Sequence, residues 1–198
     1  MKYLAFLIVV VGLNCFGQTA AEYIDSGYKK EYSNDYNGAI EDYTKAIKID
    51  STNSEVYCKR GFVKSHSNDI KGAIVDYTKA IKLNSAYIEA YYDRGVAKEF
   101  TKDYKEAIKD FDKALELNPK ELEGYYFRGV AKDSLKDYKG AIQDYTKVVE
   151  LNPYYNSYIY YYRGTSKYNS GDRIGACLDW KKVAAIEEAK EAIDKHCK

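Results

Sequence analysis

From Ala20 onward the chain rewrites one hydrophobic pattern. Ile108, Phe111 and Leu115 fall at the three-and-four spacing that lays an apolar stripe along one helix face. Upstream, Tyr91, Gly95 and Lys98 share a face, and Tyr92, Val96, Glu99 and Phe100 share the neighbouring one. Each pattern predicts one helix, and the two together predict a helical hairpin.

The same layout recurs along the chain. Gly27, Gly61, Gly95 and Gly129 are spaced by 34, and Gly164 follows after 35. An alanine stands twelve residues after each glycine: Ala39, Ala73, Ala107, Ala141 and Ala176. Four further on come Tyr43, Tyr77, Phe111, Tyr145 and Trp180. Asp35, Asp69, Asp103, Asp137 and Asp172 precede the second helix of each unit, where a side-chain oxygen can cap free first-turn amides. Glu106 lies three after Asp103, which predicts a capping box in the third unit. Gly95 and Ala107 are small where two helices must approach closely. One such hairpin has too little core to stand alone, so stacking of neighbours is expected to bury the exposed stripes. After Glu188, Ala189, Ile193 and Cys197 are spaced by four with charged residues between, as in a C-terminal capping helix.

The third unit, with Tyr91, Gly95, Ala107, Phe111, Ala114 and Pro119, resembles the tetratricopeptide repeat. The resemblance spans about 20–188 and implies an all-α, right-handed solenoid of antiparallel helix hairpins. It implies repeats at about 20–53, 54–87, 88–121, 122–155 and 157–188, with a cap at 189–198. It also implies a concave groove, lined by the first helices, that holds a peptide or a protein surface. By repeat alignment that face carries Tyr28, Tyr32, Glu55, Phe62, Glu89, Tyr92, Glu99, Phe100, Glu123, Tyr126, Asp133, Tyr158, Tyr161 and Tyr168. Such a groove is aromatic with acidic spots, which favours a partner bearing Lys or Arg. The competing reading is that these rings pack between repeats. One subclass clamps a C-terminal carboxylate with Lys and Asn. Here those places hold Ile24, Cys58, Tyr92, Tyr126 and Tyr161, and Tyr28, Phe62, Val96, Val130 and Thr165, so that chemistry is absent.

Other positions depart from the family pattern. Arg60, Arg94, Arg128 and Arg163 precede four of the glycines, and Asp76, Asp110, Asp144 and Asp179 follow them by sixteen. Two-bond pairing within a unit is one register. Pairing each Asp with the Arg of the next unit, Asp42 with Arg60 onward, is the other. Lys30, Lys64, Lys98, Lys132 and Lys167 are expected to run their stems over apolar surface and keep their heads in water.

The chain opens differently. After Met1 and Lys2, Tyr3 to Val11 is unbroken apolar or aromatic residues, too short to span a bilayer. Small residues follow. The pattern reads as a secretory signal over 1–17, cut between Gly17 and Gln18, with a domain over 18–198. A second reading makes Cys15 a lipid anchor, although Asn14 occupies a place that wants a small residue. The expectation is an exported chain, periplasmic or secreted and of bacterial type, with no stable membrane insertion.

An oxidising destination bears on the cysteines. Cys177 and Cys197 lie ten residues either side of Glu187, where the last helices would turn. Antiparallel helices would bring the two sulfurs level, which predicts a disulfide. The alternative is two separate buried thiols. Cys58 has no sequence-level partner and is read as unpaired or intermolecular.

Composition narrows the function classes. Of 198 residues, 45% are hydrophobic and 31% charged, and the net charge is +1. No single-sign field exists to hold nucleic acid. A similar helical hairpin reads RNA, but its period is 35. His66 and His196 lack metal-ligand spacing, and no nucleophile elbow or phosphate loop occurs. Carboxylates abound, but an active site is normally written once rather than five times. The expected function is a non-enzymatic interaction module without catalytic residues, metal or cofactor, whose partner is another protein or peptide. The alternative is a structural subunit that self-associates end-on through an uncapped N-terminal repeat.

Overall fold

A computed structural model describes residues 18–197; the proposed signal over 1–17 lies outside them. Among the described residues there are eleven helices: α1 (Ala20–Tyr32), α2 (Tyr36–Ile49), α3 (Ser54–His66), α4 (Ile70–Leu83), α5 (Ile88–Phe100), α6 (Tyr104–Leu117), α7 (Leu122–Ser134), α8 (Tyr138–Leu151), α9 (Tyr158–Asn169), α10 (Arg173–Lys182) and α11 (Glu187–His196). The first ten pair in chain order as α1 with α2, α3 with α4, and so on to α9 with α10. Each even helix also packs on the odd helix that follows it. The odd helices touch one another across hairpins, α3 with α5 and α5 with α7, and so form the inner layer of an all-α solenoid.

The spacing of glycine and aromatic sets the closeness of each hairpin. A Cβ on Gly95 would stand 2.7 Å from a Phe111 ring carbon, and one on Gly129 would stand 2.6 Å from Tyr145. Tyr43, Phe111 and Tyr145 are fully buried against these flat spots, and Trp180 fills the same place beside Gly164. The turn inside four of the hairpins uses a non-glycine residue with positive φ: Asn34, Asn68, Lys102 and Lys136. Asn tolerates that region; lysine occupies it at a conformational cost.

The aspartates before the second helices behave unequally. Asp35, Asp69, Asp137 and Asp172 accept from the amides of Gly38, Gly72, Gly140 and Gly175 at 2.8 to 3.0 Å. The capping box expected at Asp103 and Glu106 does not form: Asp103 makes no side-chain cap, and Glu106 pairs with Lys109. The aspartate rotamer is the reason. In the four capped units a Cβ on the glycine would come within 2.0 to 2.2 Å of Oδ2, the aspartate oxygen beside the capping Oδ1, so Glu106 is incompatible with that cap geometry. A full capping box occurs instead at Thr19 and Glu22, opening α1.

Charge is built into the interior as a ladder. Arg60, Arg94, Arg128 and Arg163 each grip the aspartate of their own hairpin through Nε and Nη2, at 2.5 to 3.0 Å. Each also reaches back. Nη1 donates to Thr44, Thr78 or Thr146 of the preceding unit at 3.1 to 3.3 Å, and in Arg128 to Asp112 at 2.6 Å. The within-hairpin register therefore holds, with a second bond to the unit before. The lysines are a correction. Lys64, Lys98, Lys132 and Lys167 do not raise their heads into water but pair with the same aspartates at 2.7 to 2.8 Å. A buried carboxylate with four lone-pair sites has room for a second cation. Where Ser26 replaces the arginine, Asp42 takes Ser26 and Lys30, each at 2.6 Å.

At the C-terminus α11 packs on α10, and Cys177 and Cys197 are joined by a disulfide. His196 lies over Tyr168 at a ring separation of 4.3 Å. No described helix is long and apolar enough to cross a membrane.

Candidate protein-binding groove

The inner helices present their side chains in three adjoining clefts. The first, of about 510 Å³, lies among α3, α5 and α7. Phe62, Tyr87 and Tyr92 form its aromatic wall, Cys58 lies at its margin, and Glu89, Asp93, Glu121 and Glu123 supply carboxylates against the single cation Lys59. Burial pushes Asp93 up to about 6, the Glu89 charge pushes the same way, and Lys59 and His66 oppose it. Burial also raises Glu121, which shares a hydrogen bond with Glu123 and feels its charge. This cleft is thus short of positive charge. Cys58 is a free, buried thiol, pushed up to about 12 by burial and so held as the unreactive thiol rather than thiolate.

The second cleft, broad and shallow, is lined by Tyr28, Glu31, Tyr32, Tyr36 and Phe62. Tyr32 is 93% exposed. The Tyr28 hydroxyl donates to Glu55, so that carboxylate is already occupied. Phe62 stacks on His66 at 4.2 Å and borders both clefts. The third cleft, of about 270 Å³, lies between α5 and α7 and contains Glu99 and the 71% exposed Phe100.

Not every residue aligned to this face lines a cleft. Tyr92 is wedged between Phe111 and Phe127, at 6.1 and 5.7 Å, so it supports the cleft wall as much as it presents surface. Tyr126 sits among Phe127, Tyr145, Tyr155 and Tyr162, and Tyr161 packs against Tyr158, Tyr162 and the α10–α11 core. Neither lines any of the three clefts. Asp133 is consumed internally by Tyr145 and Ser166. Conversely, repeat alignment passed over Tyr87, Asp93 and Glu121. Asp93 stands in a variable column, two residues before the glycines, with Asp25, Lys59, Phe127 and Tyr162, whereas Tyr87 and Glu121 stand at the N-cap positions of α5 and α7, where α1 and α3 have Thr19 and Asn53.

The helical layout agrees with sequence comparison. Tetratricopeptide repeat family models match residues 88–121 and 122–155, and related models of the same repeat match 32–65 and 66–99. A crystal structure of MamA is 30% identical over 83% of this chain and 96% of its own, with a TM-score of 0.77. The chain belongs to the tetratricopeptide repeat family. Other solved members of similar fold include the first such domain of Spaghetti (RPAP3) bound to the HSP90 peptide SRMEEVD. It is 29% identical and covers 60% of this chain and 94% of that one, at a TM-score of 0.59. YrrB, described as a tetratricopeptide repeat protein with an unusual peptide-binding site, is 21% identical, covers 88% of this chain and 92% of its own, and has a TM-score of 0.80. No curated protein matches at a significant level. Tetratricopeptide repeat proteins generally serve as non-catalytic interaction scaffolds, and this chain carries their architecture.

Proposed function

We propose that this tetratricopeptide repeat protein is an exported, non-enzymatic scaffold that docks a segment of another protein along its inner helices. The observation that carries the reading is the first cleft, where Phe62, Tyr87 and Tyr92 stand beside four carboxylates and one lysine. Rigid aromatic anchors beside under-neutralised charge suit a protein segment better than a small metabolite. The RPAP3 domain bound to an HSP90 peptide shows that a relative takes a peptide. That peptide, SRMEEVD, ends in acids. The acidic cleft here would repel such a sequence and prefer one with basic residues.

Export rests on the opening pattern of Lys2, the apolar run Tyr3 to Val11 and the small residues after it. The Cys177–Cys197 disulfide supports an oxidising destination. Non-catalytic action rests on the repetition of the polar constellations, which serve the architecture in every unit.

The test is affinity capture from the native envelope and culture medium, with wild type beside a Phe62→Ala/Glu89→Lys variant of equal helicity. Both residues line the cleft, whereas Tyr92 also packs against Phe111 and Phe127 and Tyr126 lies outside the cleft among neighbouring rings. A protein retained by wild type, lost by the variant and competed by one of its own short segments is the expected result. Capture indifferent to the variant, or recovery of this chain alone, sinks the groove and transfers the weight to end-on assembly.

A further inference from the structure

Comparison of the repeats with one another singles out Glu99. In the first hairpin the residue four after the glycine is Glu31, and the Tyr43 hydroxyl donates to it at 2.6 Å. In the fourth hairpin the pair is Asp133 and Tyr145, at 3.0 Å, and Asp133 also accepts from Ser166 of the next hairpin at 2.8 Å. In the third hairpin the pair is Glu99 and Phe111. Phe111 has no hydroxyl, and Ala131 occupies the place that Ser166 holds one hairpin on. Glu99 Oε1 is accordingly buried without any hydrogen-bond partner. A buried acceptor left in this state forfeits its hydration for nothing in return.

The surroundings say what could satisfy it. Val96, Phe100, Tyr104, Phe127, Val130 and Ser134 line the rest of the cleft, and Glu99 is its only charged residue. A volume of about 270 Å³ admits one long side chain rather than a folded surface. An aliphatic stem would lie along the apolar walls and a cationic head would meet the carboxylate.

We infer that the α5–α7 cleft is a receptor for one basic side chain, lysine or arginine, of the docked segment, with Glu99 as the residue that selects it. This rests on the groove reading and deepens it: α5 and α7 wall both the first cleft and this one, so a segment crossing α5 reaches both. The absent tyrosine hydroxyl at position 111 is what keeps the site open.

The site is tested with n-butylammonium, a stand-in for the lysine side chain, and with neutral n-butanol. The readout is the carboxyl carbon resonances of the glutamate-labelled protein, with Glu99 assigned by Glu99→Gln. The expected result is a saturable shift of the Glu99 carboxyl with n-butylammonium and none with n-butanol. Phe111→Tyr restores the hydroxyl that Tyr43 and Tyr145 supply elsewhere, and should weaken the cation's binding at least about tenfold. Tyrosine already fills this place in three other hairpins, so that variant is expected to fold. No saturable shift, or equal affinity in Phe111→Tyr, overturns the inference. Partner capture that fails with Phe62→Ala/Glu89→Lys but survives both Glu99→Gln and Phe111→Tyr keeps the groove and removes this site. A Glu99 titration that succeeds while capture ignores the groove variant removes the protein-docking reading instead.

Discussion

Arg94 holds Asp110 by two parallel hydrogen bonds, 2.9 and 2.6 Å, from the helix that faces it across the hairpin. Lys98 adds a third bond at 2.7 Å, and the Arg94 Nη1 reaches Thr78 of the preceding unit. One aspartate thus ties two cations of its own hairpin, and one of those cations ties the hairpin to its neighbour. In a stacked array the boundary between units is where cooperativity is made or lost. The ladder supplies a polar, directional bond there beside the apolar contact.

Removing the carboxylate should therefore cost more than removing a surface ion pair. Asp110→Ala leaves Arg94 and Lys98, whose side chains are 16% and 14% exposed, without a counter-charge. The expected loss is about 3–5 kcal/mol in urea unfolding. Lys113→Ala, which breaks an exposed pair with Glu116, should change stability by under about 1 kcal/mol. Equal effects from the two substitutions would mean the ladder is solvated in practice. Acid should weaken the same device. Burial works against ionised Asp179, but hydrogen bonds from Arg163 and Lys167 outweigh it and hold the carboxyl below its usual range. A depressed folded value contributes stability above the unfolded value of about 3.9, and that contribution is lost as the pH falls through the lower folded value.

The caps offer an internal comparison. Asp137→Ala removes a side-chain bond to the Gly140 amide and should cost about 1 kcal/mol. Asp103→Ala removes no such bond and should cost distinctly less. Thermal unfolding followed by circular dichroism reads both, and a reversed order would contradict the steric account of Glu106.

These contrasts mark how far the chain could be read before its structure was seen. The period, the glycine–aromatic contacts and the all-α hairpins were legible because each recurs, and recurrence averages out local exceptions. The lysines were misread because exposure was inferred from residue type, while a buried aspartate on the facing helix, twelve residues on, decided their fate. Glu106 was misread because the aspartate rotamer used in the four capped hairpins leaves no room for a Cβ at the third helical position, whereas the threonine cap at Thr19 accommodates Glu22 there. The inner face of the odd helices was legible, but not which of its residues line a cleft. Tyr126 and Tyr161 share the helical spacing of Tyr92, yet their depth depends on what the next repeat places opposite. Asp93 escaped notice because residue type varies in its column, and Glu121 because its column is that of the first-helix N-caps, which vary from Thr19 to Asn53 and Tyr87.

The disulfide should matter locally. It closes a separation of 20 residues, and a loop of that size is worth about 3 kcal/mol in the entropic account. Because α11 packs at the C-terminal end of the array, on α10 and through His196 on Tyr168 of α9, Cys177→Ser/Cys197→Ser should leave α3 and α5 intact. Hydrogen exchange is expected to accelerate across Glu187–His196 and stay unchanged in α3 and α5. Uniform acceleration along the chain would instead make the disulfide a global staple.

Glu99 and Asp93 give the protein an opposite dependence on pH. Burial holds their carboxyls up to about 7 and about 6, above unfolded values of about 4.3 and 3.9. Between the lower and higher values the folded chain binds more protons than the unfolded one. These two groups therefore make stability fall as pH rises through that window, with the loss complete above it. Glu89, Lys59, His66, Glu121 and Glu123 surround or act on Asp93, whereas Glu99 faces apolar walls and Ser134, so Glu99 is the cleaner probe. Glu99→Gln should be more stable than wild type at pH 8 and nearly equal to it at pH 4, read as urea midpoints at both values. Phe111→Tyr should also stabilise at pH 8, because its hydroxyl would satisfy the ionised form. A gain from Glu99→Gln that is the same at pH 4 and pH 8 would show that the cost at this position is steric, and that the buried charge of Glu99 is not what the cleft is waiting to have neutralised.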